Sequence, residues 1–197
     1  MSDVLIIDSG GANLASLRFA FDRLGAHCEV SADPTRVAAA CRVVLPGVGA
    51  AADAMARLRA AHLTDCIRQL RSPVLGICLG MQLLFEACEE GNAESLGLLP
   101  GKVRRLPAVP GLSVPHMGWN TCQTVRSDPL LKGLTASDYV YFVHSYAVPL
   151  SAATSAATEY GESISAAVWR DNFHGVQFHP ERSAQAGALI LKNFLAL

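Results

Sequence analysis

The first eighty residues alternate compact apolar runs with longer segments of helical periodicity, and that rhythm restricts the fold more than any other feature. "DVLIID" (Asp3–Asp8) is short and continuously apolar, as suits a strand buried on both faces. In the segment that follows, Leu14, Leu17, Phe21 and Leu24 recur at helical spacing; Asn13 is placed to cap the start and Gly25 to end it. "HCEVS" and "RVVLP" read as further strands separated by a short Ala-rich segment. "AADAMARLRAAHLTDCIRQLR" is helical in composition, "PVLGI" is another strand, and "GMQLLFEAC" reads as a helix leaving it. Strands and helices that alternate over short connections predict an α/β, doubly wound, mostly parallel sheet covered on both faces.

After about Gly91 the rhythm changes. "GKVRRLP", "NTCQTV", "YVYFVHSYAV", "TSAATEY", "ISAAVWR" and "FHGVQF" read as strands joined by turns, with Asp171-Asn172 as a hairpin turn. "SAQAGALILKNFLAL" closes the chain as an apolar helix. No linker, repeat or low-complexity tract divides the 197 residues, so residues 1–197 are expected to form a single domain, with an antiparallel extension on the parallel sheet. A formal net charge of −1 gives no electrostatic footprint for nucleic acid and no polybasic membrane patch. No apolar run approaches the roughly 20 residues of a membrane span, and the start lacks the pattern of an export signal. The expectation is a cytoplasmic protein. Its six cysteines form no C-x-x-C pair and no zinc-finger spacing, so neither a metal nor a disulfide framework is expected.

The chemistry concentrates at three places. "GICLG" (Gly76–Gly80) has the G-x-nucleophile-x-G form of a nucleophile elbow, with Cys78 at its centre. A sharp strand-to-helix turn projects such a side chain outward, and flanking glycines remove Cβ atoms that would crowd it. The amide of Leu79 can donate to an oxyanion, and a helix N-terminus favours a thiolate. A thiol nucleophile needs a base, and the base needs an orienting group. "GVQFHPE" offers both: Pro180 biases His179 toward extended geometry, and Glu181 lies within reach of the imidazole. A loop histidine and a solvated carboxylate would read the same way in isolation; the elbow upstream favours a triad. In "LPGVGA" two glycines around Val48 let the backbone approach a substrate, and the Val48–Gly49 peptide can present an amide to developing charge. It is not a phosphate loop, since G-x-x-x-x-G-K-[ST] does not occur.

"PGVG", "GICLGMQLLFE" and "GVQFHPE", in this order, resemble the triad-type glutamine amidotransferases, and "VPHMGWN" with "YFVHSY" narrows the resemblance to the glutaminase subunits of imidazole glycerol phosphate synthases. The resemblance spans essentially the whole chain. It implies a glutamine amidotransferase-like fold in which Cys78 attacks the side-chain amide of glutamine, His179 acts as base and then acid, and Glu181 orients it. Val48, Gly49 and Leu79 would furnish the oxyanion amides, and Gln82, His144, Ser145 and Tyr146 would surround the glutamine. It implies no cofactor, and as partner a (β/α)8-barrel cyclase that receives the ammonia in a heterodimer. That cyclase makes imidazole glycerol phosphate and an aminoimidazole carboxamide ribotide in histidine biosynthesis. Asn13, Trp119, Tyr139 and Arg182 are the candidate contacts with it. The chain departs from the usual pattern at Ser9, Ala12, Ala51 and Arg182. Competing readings are the glutaminase of an anthranilate synthase or pyridoxal-phosphate synthase, a thiol peptidase, and a non-catalytic regulatory subunit on the same scaffold. Anthranilate synthase subunits usually carry "PGPG" and the pyridoxal-phosphate type a "GGES" loop; a peptidase leaves "VPHMGWN" unexplained; regulatory subunits tend to lose a triad member.

Overall fold

In a computed structural model, which describes residues 3–10 and 14–197, the alternating half of the chain runs β1 (Val4–Ile7), α1 (Leu14–Asp22), β2 (Cys28–Ser31), α2 (Pro34–Ala38), β3 (Val43–Gly47), α3 (Ala51–Ala60), α4 (Leu63–Gln69), β4 (Val74–Cys78) and α5 (Leu79–Gln82). Then come β5 (Phe85–Cys88), β6 (Ala93–Glu94), β7 (Leu99–Arg105), β8 (His116–Thr121), β9 (Gln123–Thr124), β10 (Tyr139–His144) and β11 (Tyr146–Ala147). The chain ends with β12 (Thr154–Glu159), β13 (Ser163–Arg170), β14 (Phe173–Val176), a 3-10 turn over Pro180–Arg182, and α6 (Ala184–Leu195). The large sheet has the order β2-β1-β3-β4-β14-β13-β12-β9; its first five strands are parallel and the last three join antiparallel. This is the doubly wound sheet with an antiparallel extension that the sequence rhythm predicts.

Strand alternation divides the core in two. Leu5, Ile7, Val43 and Leu45 face Val37, Met55, Leu58, Leu63 and Ile67 on one side. Val4, Ile6, Val44 and Leu75 face Leu17, Phe21, Ile190, Leu191 and Phe194 on the other. Each such side chain, removed from water, is worth about 1.5–3 kcal/mol. Gly25 ends α1 as expected, in a left-handed conformation with φ 76°. The amides of Gly25 and Ala26 return to the carbonyls of Asp22 and Phe21, the paired bonds of a Schellman motif. The Asp171-Asn172 turn joins β13 to β14, with Arg170 opposite Phe173.

Three expectations are corrected. "GMQLLFEAC" is one turn of helix followed by a strand: Phe85 pairs with Leu99 and Cys88 with Val103. Leu83, Leu84 and Phe85 are all fully buried, and three consecutive buried residues cannot share one stripe of a surface helix, so pairing overrides propensity. The long helical segment breaks at His62, whose φ of 56° separates α3 from α4, although both bury their apolar residues in the same core. "NTCQTV" is two strands, because Thr121 pairs with Tyr139 in a separate two-stranded ribbon whereas Gln123 pairs with Ala157 in the large sheet.

The glycines around β4 are there for space. A Cβ on Gly80 would stand 1.8 Å from the carbonyl oxygen of Leu45, and one on Gly76 would stand 2.7 Å from that of Gly80. Gly80→Ala is therefore expected to cost more than about 4 kcal/mol in urea unfolding. Gly25→Ala meets nothing within 4 Å and carries only its positive-φ strain, about 1–2 kcal/mol. Equal losses in the two variants would contradict this close approach of backbones.

Candidate active site

Cys78 stands at the carboxyl end of β4, where strand turns into helix. Its backbone lies at φ 54°, ψ −112°, which a side-chain-bearing residue holds only at a cost, about 1–3 kcal/mol. Neighbouring packing enforces it, since α5 is pressed through Gly80 onto Leu45 of β3 and through its Gly80–Met81 backbone onto Gly76 of β4. The elbow is thus as the flanking glycines predict. The helix it opens is only four residues long, so local amides of its first turn, rather than an extended helix dipole, would act on charge at the sulfur. Cys78 Sγ donates to the carbonyl of Val143 at 3.7 Å and accepts from Gln177 Nε2 at 3.8 Å.

The second arm of the site comes from the chain after β14. His179 is extended ahead of Pro180, with φ −100° and ψ 99°. Its N–H donates to Tyr141 O at 2.9 Å, and Ser183 Oγ donates to its carbonyl at 2.6 Å while accepting from Tyr141 N at 2.9 Å. His179 Nδ1 lies 2.8 Å from Glu181 Oε1. An ionised carboxylate only accepts, so Nδ1 carries a hydrogen and Nε2 is turned to the cysteine. Nε2 has no strict hydrogen-bond partner among the described residues, yet lies near enough to Cys78 to feel its charge. Burial disfavours the imidazolium, but Cys78 and Glu181 together outweigh it and push the His179 pKa from its ordinary 6.5 to about 10.

The two arms meet in a cleft of about 590 Å³. Val48, Gly49 and Leu79 line it beside Cys78, with Gly49 at φ 84°. Gln82, His144, Ser145 and Tyr146 line it too, so every predicted catalytic, oxyanion and substrate residue falls in one place. The side chains of two of them are already committed. Gln82 Nε2 donates to Tyr146 O at 2.8 Å and to Gln177 Oε1 at 3.0 Å. His144 Nδ1 is 2.9 Å from Tyr146 O, and its Nε2 is 3.1 Å from His116 Nδ1. Burial drives both histidines toward neutrality, His116 to about 4 and His144, with the neighbouring His116 adding to burial, to about 3. Ser9, one of the departures from the family pattern, donates its hydroxyl to Pro46 O at 3.2 Å behind the loop that carries Val48 and Gly49. Ala51 is fully buried and donates its N–H to Glu90 Oε2 at 3.0 Å.

Sequence reasoning missed Glu90, Gln177 and His116. Glu90 has no sequence signal, lying in a polar turn far from any motif. Gln177 and His116 sit inside "GVQFHPE" and "VPHMGWN", and a polar residue in an apolar strand context was the available clue.

Beside the cleft, β8 and β10 pair as a ribbon with a buried inner face and an apolar outer one. Met117, Trp119 and Tyr139 are more than half exposed on the outer face. Tyr141 sits between Trp119 at 5.7 Å and the guanidinium of Arg182 at 4.3 Å. Val143, next in line on that face, lines the cleft. Trp119, Tyr139 and Arg182 therefore cluster on one surface; Asn13 lies outside the described residues. Among the described residues no three His, Cys, Asp or Glu side chains gather to hold a metal ion, and no helix is long and apolar enough to cross a membrane.

Residues 5–197 match the family described as glutamine amidotransferase class-I. The imidazole glycerol phosphate synthase subunit HisH of Xanthomonas axonopodis pv. citri is 52% identical over 197 residues, which cover 100% of this chain and 98% of that protein. The HisH subunit of Haemophilus influenzae is 50% identical over 195 residues, covering 99% and 98%. Among solved structures, a glutamine amidotransferase superposes with a TM-score of 0.75 at 18% identity, covering 98% of this chain and 97% of that one. The glutaminase domain of Trypanosoma brucei CTPS does so with a TM-score of 0.66 at 18% identity, covering 97% and 92%. At such identities the likeness is one of fold.

Two opposite pH dependences follow from these histidines. The stability contributed by charged His179 is complete below about pH 6.5 and is lost as pH rises through about 10. That contributed by the neutral pair is complete above about pH 6.5 and is lost as pH falls through about 4 and 3. In an imidazole NMR titration, Cys78→Ala and Glu181→Gln should each bring the His179 pKa down from about 10. A value held near 10 in both variants would contradict the pairing.

Proposed function

The chain belongs to the glutamine amidotransferase class-I family, and from that premise we propose that it is the glutaminase subunit of an imidazole glycerol phosphate synthase, acting in histidine biosynthesis. The full-length likeness to HisH subunits favours this assignment over the anthranilate synthase and pyridoxal-phosphate types. The observation that carries the chemistry is the strained cysteine facing a histidine whose other nitrogen is held by a carboxylate.

In this reading the Cys78 thiolate adds to the carboxamide carbon of glutamine, and the carbonyl oxygen takes the charge. Amides of Leu79 and of the Val48–Gly49 peptide receive that oxyanion. His179 gives a proton to the leaving nitrogen, the C–N bond breaks, and ammonia departs from a glutamyl thioester. Water then attacks the thioester while His179 takes its proton; the C–S bond breaks and glutamate leaves. Glu181 keeps Nδ1 protonated throughout, so that Nε2 always does the proton transfer. Gln82 and the Ser145–Tyr146 backbone form the wall against which glutamine lies.

Ammonia released into neutral water becomes mostly ammonium, which is no nucleophile. A barrel cyclase seated over the cleft would receive it before that happens. The outer ribbon face suits such a partner: Met117, Trp119, Tyr139 and Tyr141 form an apolar, aromatic surface next to the nucleophile, rimmed by Arg182.

Cys78→Ala is expected to lower glutamine-dependent turnover of the complex by more than about 1000-fold, while turnover supplied with ammonium salts survives. Loss of neither activity would overturn the assignment. Trp119→Ala and Tyr139→Ala should each weaken binding to the cyclase at least about tenfold, near 1.4 kcal/mol, in calorimetric titration. Unchanged affinity in both would move the interface elsewhere.

A further inference from the structure

Gln177 lies between the end of β14 and His179, fully buried, with its backbone N–H donated to Ala166 O at 2.9 Å. A buried primary amide must place two donors and an acceptor, and the surroundings decide which end faces which neighbour. Tyr146 O can only accept, so the atom of Gln82 that lies 2.8 Å from it is nitrogen. The same nitrogen reaches Gln177 at 3.0 Å, so the end of Gln177 turned toward Gln82 is oxygen. The NH2 end of Gln177 is then turned to Cys78 Sγ. The far end of the chain is locked in the same way. His144 Nδ1 must donate to Tyr146 O, which leaves Nε2 to accept from His116 Nδ1. His116 is in turn fixed by stacking between Phe142 and Tyr160, with ring centroids 4.7 and 3.8 Å away. The result is a buried run of hydrogen bonds from the ribbon to the sulfur, with the direction of each bond assigned.

We infer that Gln177 is a positioning residue for the nucleophile, holding Sγ through its amide N–H and thereby selecting the charged sulfur. The contacts at the sulfur pull in opposite directions. The thiol donates to the carbonyl of Val143; the thiolate cannot donate and is repelled by that oxygen. An N–H from Gln177 favours the thiolate and holds it off the Val143 carbonyl. Because the amide cannot flip without breaking its bond from Gln82, the donor is present before substrate arrives. The ionisable groups facing Cys78 are His179, Glu181 and Arg182 on one arm, His144 and Tyr146 on the other, and Glu90 across the cleft. All of them remain in the variants that test the role.

The inference rests on Cys78 being the nucleophile but is read independently of turnover. In the complex with the cyclase, the rate of Cys78 alkylation by iodoacetamide is measured against pH, by mass spectrometry of the Cys78 peptide. Gln177→Met keeps the bulk and removes the donor; its acid limb should move up by about one pH unit, a roughly tenfold slower alkylation at fixed pH below that limb. Gln177→Glu keeps an acceptor for Gln82 and sets a carboxylate against the sulfur, moving the limb the same way. Ammonium-dependent turnover should stay at its wild-type value. A donor or carboxylate left unpaired at this buried position lowers the melting temperature, so each variant is read where circular dichroism shows it folded, and either decides the matter if the other does not fold. Profiles unmoved in folded variants would overturn the role, whatever happens to turnover. Retained glutamine turnover in Cys78→Ala would instead overturn the functional reading.

Discussion

The backbone of Gly80 lies against the carbonyl of Leu45 so closely that one Cβ there would stand 1.8 Å from the oxygen. That contact fixes where α5 begins relative to β3 and β4. With the helix seated there, the residue joining strand to helix has no choice but a positive φ, and that residue is Cys78. The strain is local, whereas the packing that imposes it is distributed over two fully buried strands. Such a turn is costly unless something is gained by turning the side chain at its apex into the cleft.

A second close approach seats the other arm. A Cβ on Gly187 would stand 1.9 Å from Pro180 O, so α6 packs directly beneath the turn that carries His179 and Glu181. Ser183 ties this turn to Tyr141 on the ribbon, and Val143 of the same ribbon touches the sulfur. Cys78, His179 and the exposed aromatic face are therefore braced on one another through backbone contacts. A partner pressing on the ribbon would act on a strand whose carbonyls touch both arms of the site.

Much of the fold was legible because buried parallel strands leave continuous apolar runs, as in "DVLIID" and "RVVLP", and because Gly25 marks a helix end by its backbone freedom. That these residues would meet in one cleft was legible for a similar reason: Gly76, Gly80 and Pro180 are backbone instructions, and they flank Cys78 and His179 at fixed spacing. What could not be read is what pairing across the chain decides. Phe85 reads as helix by composition but is a strand because Leu99 lies beside it. Glu90 enters the cleft by capping the amide of Ala51, 39 residues away. Gln177 and His116 could be noticed in sequence as polar residues in apolar strands, but their partners Gln82 and His144 become visible only in three dimensions.

The fold thus delivers a thiol turned into a cleft by force, an imidazole held in one tautomer, and an apolar, aromatic surface beside that cleft. The proposed chemistry is covalent: glutamine would pass through a thioester on Cys78. Acid-quenching the working complex within a turnover and digesting it would show that directly. A glutamyl adduct on the peptide that carries Cys78, and on no other cysteine, is the expected result. An adduct on a different cysteine, or an active complex from which no adduct can be trapped, would contradict it.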